Sequence, residues 1–132
     1  MEVHSLTDVH VQLRGDARYQ QAVRAMNHVK PQPALAIAGG DLVFDVFETG
    51  FERADSLFKM YKEITQRLNM PVYHTIGNHG IFGIDAAAGD SKDHPEHGKK
   101  MFASRLGNGC TYRSFDFQDW HFVLLDSVSI TS

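Results

Sequence analysis

The order of apolar segments predicts an α/β fold: a βαβαβ parallel sheet followed by a C-terminal hairpin. Three short apolar runs alternate with two amphipathic helical stretches, and two strand-like segments close the chain. Strands that alternate with helices form a parallel sheet with right-handed crossovers. At 132 residues, positions 1–132 read as a single domain with one core.

Glu2–Thr7 reads as the first strand. Asp16–Lys30 reads as a helix, because Ala22, Val23, Met26 and Val29 recur at the three-four spacing of one buried face. Pro31 and Pro33 end it, since proline lacks the amide a helix needs. Ala34–Ala38 is wholly apolar, as a parallel strand buried on both faces should be. Phe51–Leu68 is the second helix, with Phe51, Ala54, Phe58, Tyr61, Ile64 and Leu68 along one face. Val72–Ile76 follows Pro71 as the third strand. Ile81–His94 is a long loop rich in Gly, Ala and Asp, and loops of that length often carry function. Glu96–Leu106 is expected to be a third helix, ended by Gly107-Asn108-Gly109. Thr111–Phe117 and Trp120–Ser127 are expected to pair across a turn at Gln118-Asp119.

Charged residues make up 22% and the net charge is -3, so no basic surface is offered to nucleic acid or to an anionic membrane. No apolar stretch reaches the roughly 20 residues that span a bilayer. Strand-like sequence begins at Glu2 without a basic, then apolar, leader, which makes the cytoplasm the default compartment. The lone Cys110 cannot form an intrachain disulfide and reads as a small core residue beside a turn.

Three motifs fall where a strand gives way to a loop: Asp8-Val9-His10, Gly39-Gly40-Asp41 and Gly77-Asn78-His79. In open α/β sheets, ligands bind beyond the carboxyl ends of the strands. Asp8 and His10 are two apart, and on extended backbone they point to one side and reach one cation together. Asp41 follows two glycines, which permit close backbone approach, and a carboxylate can bridge two metals. Asn78 offers a neutral carbonyl oxygen to a hard cation. His79 can serve as ligand or proton donor. Of the other histidines, His94 and His97 have i, i+3 spacing beside an expected helix start, and His121 falls on the solvent side of its strand. Neither these nor His4, His28 and His74 are assigned to metal.

These motifs, in this order, resemble the signature of the calcineurin-like metallophosphoesterases: D-x-H, G-D, G-N-H-(D/E), a lone H, then G-H-x-H. The matching residues are Asp8, His10, Asp41, Asn78 and His79. Asp41-Leu42-Val43 and Trp120-His121-Phe122-Val123-Leu124-Leu125-Asp126-Ser127 are similar to the bacterial branch described as cyclic-AMP-phosphodiesterase-like. The resemblance covers the whole chain and the front half of such an enzyme. It implies half of a four-layer αββα sandwich and two divalent metal ions (Mn, Fe or Zn). Asp8 and His10 would hold the first ion, Asp41 would bridge both, and Asn78 would bind the second. His79 would be catalytic, stabilising the transition state or protonating the leaving oxygen. The implied reaction is hydrolysis of a small phosphomonoester or phosphodiester by a hydroxide bridging the two ions.

The chain departs from the pattern twice. No G-H-x-H follows, and Gly80 stands where the family usually carries an acid that orients the histidine. Half a sandwich leaves a sheet face or edge to be covered, which implies a homo-oligomer or a missing C-terminal half. The alternative function is a catalytically inactive metal-binding fragment or assembly module.

Overall fold

The computed structural model describes residues 1–85 and 91–129. Its first sheet has three parallel strands in sequential order: β1 (Val3–Leu6), β2 (Leu35–Gly39) and β3 (Val72–Thr75). Leu6 pairs with Ala38, and Ala38 with His74, so the three strand ends lie side by side. Between them run α1 (Ala17–His28) and α2 (Phe51–Thr65). Sequential order with right-handed crossovers puts both helices on one face. The two pack together, with the Tyr19 and Tyr61 rings stacked 5.7 Å apart.

Side chains alternate across a strand. Ala36, Ala38 and His74 therefore face the helices, and Val23, Met26, Leu57, Phe58, Tyr61 and Ile64 close the core over them. Ile37 and Tyr73 face the other way. There Phe115 of β4 (Arg113–Phe117) stacks on Tyr73 at 3.6 Å between ring centroids. β4 pairs antiparallel with β5 (Trp120–Leu124) across the expected Gln118-Asp119 turn. This second face is incompletely covered: Val3 and Ser5 are exposed on it.

The structure shortens several expected elements. The largest difference is the third helix, which is only α3 (Lys100–Arg105) rather than Glu96–Leu106. Gly98 lies at φ +70° and exchanges two backbone hydrogen bonds with Phe82 (3.1 and 2.8 Å). That bridge ties 97–98 to a neighbouring loop and bars them from the helix. Cys110 is exposed rather than in the core, because the 107–110 turn, with Asn108 and Gly109 at positive φ, carries it outward. Of the expected Ile81–His94 loop, residues 86–90 lie outside the described residues.

Arg105 and Lys99 at α3 are matched by carboxylates. Arg105 bonds to both Asp55 and Glu96, and Lys59 lies 2.7 Å from Asp55. Hydrogen bonds from Arg105 and Lys59 hold the two carboxyls below their ordinary range. Among the described residues, no helix is long and apolar enough to cross a membrane.

Candidate metal centre

Beyond the strand ends the chain stays paired in register. The Asp8 amide donates to Gly40 O (3.2 Å), the His10 amide to Asp41 O (2.9 Å), and Val11 bridges Val43. This pairing brings the first two motifs together. The third arrives through glycine: a Cβ at Gly77 would collide with the Asp41 amide nitrogen and carboxylate. Only a residue without a side chain lets the β3 loop approach Asp41 this closely.

The product is a group of three. One ligand-competent atom each from His10, Asp41 and His79 lies within 4.8 Å of the others. The Asp41 carboxylate divides its oxygens. Oδ1 accepts from the His79 amide (3.1 Å), while Oδ2 faces His10 Nε2 at 3.8 Å. That separation is too long for a hydrogen bond. His10 Nε2 is buried and has no hydrogen-bond partner among the described residues. Its walls are the edges of Phe44 and His79, with ring centroids 5.9 and 4.8 Å from that of His10.

His79 has a partner absent from the sequence reading. Its Nδ1 lies 2.6 Å from Asp45 Oδ1. Asp45 thus supplies the orienting acid that Gly80 cannot. The short turn Val46–Glu48 that begins after it, and the turn Asn78–Gly80, pack against each other and hold the pair. A third aspartate four residues beyond Asp41 was the available signal, but no strand or helix periodicity places it.

The backbone here is strained. Among the described residues, six non-glycine residues have positive φ, and four are Asp8 (51°), His10 (47°), Asp41 (47°) and Asp45 (49°). Such conformations cost about 1–3 kcal/mol each and cluster at functional sites. They also correct the extended-backbone argument for Asp8 and His10: both are left-handed, and only His10 joins the group. Asp8 is exposed, and its carboxylate accepts from Thr7 Oγ1 (2.7 Å). Asn78 is exposed on the turn that carries His79, and its backbone carbonyl accepts from the Ile81 amide (3.3 Å).

The donor types suit a divalent ion, and the His10–Asp41 pair has the spacing for one. Imidazole and carboxylate suit Zn²⁺, Mn²⁺ or Fe. Two atoms each about 2.1 Å from one ion lie at most about 4.2 Å apart. The 3.8 Å pair of His10 and Asp41 meets that limit. The unpartnered His10 nitrogen is the kind of group a bound ion would satisfy. Of the other histidines, His74 meets Tyr61, His121 meets Asp116, His97 meets Gly83 O and His28 meets Arg24 O. Compared with known families and curated proteins, the chain matches no family model and no curated sequence.

Proposed function

We propose that these strand ends form the amino-terminal part of a metal-dependent phosphoesterase site of the calcineurin-like kind, acting on phosphomonoesters or phosphodiesters. The observation that carries the reading is His10 Nε2, buried without a partner among the described residues and facing Asp41 Oδ2. His10 and Asp41 would hold a first divalent ion. Asp8 and Asn78 flank them in the motif order and would complete the ligation of a pair. When bound, such ions neutralise phosphoryl charge and lower the pKa of water. His79 is oriented by the Nδ1–H bond to Asp45, so Nε2 is the free position, and as the imidazolium it would carry there the proton that passes to the leaving oxygen. Asp41 holds the His79 amide through one oxygen and turns the other toward His10 Nε2, so it would couple an ion held there to His79. In the same reading, the uncovered sheet face at Val3 and Ser5 is where a second sheet, from further chain or another copy, would lie.

Hydrolysis of a chromogenic phosphodiester with added Mn²⁺ tests the reading. Asp41→Ala should abolish it and should weaken Mn²⁺ binding beyond the roughly 10–100-fold cost of losing a supporting partner. Full activity in Asp41→Ala would overturn the assignment. A second reading, a metal-binding module without turnover, is favoured by the small ligand group, three among the described residues. Stoichiometric metal binding with no hydrolysis of any phosphoester would choose it.

A further inference from the structure

We infer that the substrate carries a second anionic group, a phosphate or carboxylate apart from the scissile phosphoryl, and that Arg14 and Arg18 hold it; this rests on the phosphoesterase reading. Both arginines line a hollow of about 550 Å³, and Asp8 and His10 line the same hollow. Its volume falls within the roughly 300–1,000 Å³ typical of ligand pockets. His10 joins it to the candidate centre: its Nε2 faces Asp41, and the residue also forms part of the hollow's wall. A substrate whose phosphoryl group met an ion on His10 and Asp41 would therefore find this hollow next to it.

The charges in the lining are not equivalent. Its carboxylates are occupied by the chain itself: Asp16 accepts from the Gln12 amide (3.1 Å), and Asp8 from Thr7 Oγ1 (2.7 Å). Its cations are not. Arg14 and Arg18 are exposed, and among the described residues every ion pair uses other side chains. A guanidinium presents a planar fork of donors that matches a carboxylate or a phosphate. Asp8 by itself would repel an anion, but in the proposed site a divalent ion offsets its charge. The backbone that carries the arginines is fixed at both ends. Val11 is fully buried, its amide donating to Leu42 O (3.0 Å) and its carbonyl accepting from the Phe44 amide (3.1 Å). Tyr19, the residue after Arg18, is buried against Tyr61 and meets Thr65 at 2.7 Å. Between them the Asp16–Gln12 bond closes the turn, and Gly15 bends it at φ +67°. A segment held in this way loses little freedom when it binds.

The test compares Mn²⁺-dependent kcat/KM for ethyl phosphate, 2-carboxyethyl phosphate and ethylene glycol bisphosphate, in the native chain, Arg14→Gln, Arg18→Gln and the double variant. Calorimetric titration of ethylphosphonate, 3-phosphonopropionate and ethylenediphosphonate into the Mn²⁺-loaded chain is the readout independent of turnover. The proposal expects a charged ester to exceed ethyl phosphate by about tenfold or more, the lower end of what a hydrogen bond to a charged group is worth. Whichever charged ester gains more identifies the group as carboxylate or phosphate, and the phosphonates should rank in the same order. The double variant should bring the ratio of charged to uncharged ester near one, Arg→Lys at both positions should restore part of it, and high salt should shrink it. A native ratio near one overturns the proposal and leaves the phosphoesterase reading standing. So does an equal loss on all three esters in the double variant, because the arginines would then hold the scissile phosphoryl itself. No hydrolysis of any ester removes the phosphoesterase reading, and the substrate class falls with it.

Discussion

Polar groups buried in the helical layer and polar groups at the strand ends obey different rules in this molecule. In the helical layer, Tyr19 meets Thr65 at 2.7 Å, Tyr61 meets His74 at 3.1 Å, and Arg105 reaches two carboxylates. At the strand ends His10 Nε2 has no partner among the described residues, and Asp41 Oδ2 stands 3.8 Å from it. The first arrangement satisfies each group with another side chain, on regular helix and strand backbone. The second keeps a nitrogen and an oxygen apart, on backbone held at positive φ. A buried unpaired polar atom costs about 1–3 kcal/mol. Strain and an unmet ligand in one place are what a site for something else requires, whereas pairing on regular elements is what stability requires.

If that contrast is right, breaking a pair in the helical layer alters stability and leaves metal binding alone. His74 gives the largest expected effect. Burial, then the nearby Arg113 and Lys62, push its pKa down to about 4. The folded imidazole thus stays neutral beside the Tyr61 hydroxyl, while the unfolded chain takes up a proton below 6.5. Its contribution is fully present above pH 6.5 and is lost as pH falls toward 4, by about 3 kcal/mol in all. Urea midpoints measured across that window should slope, and His74→Leu should flatten the slope with no change in Mn²⁺ affinity. A slope unchanged in the variant would dissolve the contrast from this side.

Gly77→Ala probes the other side. The added Cβ must displace Asp41 or the β3 loop, an overpacking cost of about 1–3 kcal/mol. Calorimetric titration should show metal affinity falling along with the melting temperature. Stability lost at unchanged affinity would mean that Asp41 holds no ion.

Asp45→Asn is the smallest and the sharpest. It keeps the shape but weakens the hold on His79 Nδ1. Supporting partners of this kind are worth roughly 10–100-fold. The expected loss lies in kcat, with the pH profile shifted and melting temperature nearly unchanged. Equal loss of stability would place the His79–Asp45 pair with the satisfied pairs of the helical layer.

The residues that sequence reasoning brought to the site were those adjacent to periodic segments. Asp41 and His79 sit a fixed step past apolar runs, so strand ends locate them. Asp45 does not, because a left-handed residue between two turns has no periodicity to read. The Asp8-Val9-His10 motif was visible, but its conformation was not: an i, i+2 argument assumes extended backbone, and both residues are left-handed. Glu96 carries helix-compatible sequence, yet the Phe82–Gly98 bridge holds the chain outside the helix, and the Glu96 side chain serves Arg105 instead.

What the sequence determined alone is the set of elements and their order. Burial of an apolar stripe has a period, and the periods 3.6 and 2 are local properties of the chain. Three strands, two helices, the hairpin turn and the three loops that bear ligand chemistry all follow from it. What tertiary structure decided is which side chains meet. The sequential parallel order aligns the strand ends, and the missing Cβ of Gly77 admits the third loop to Asp41. The pairing of 8–11 with 40–43 turns His10, not Asp8, inward. Such contacts join residues more than thirty positions apart, so no local pattern encodes them; packing selects them once the elements have docked.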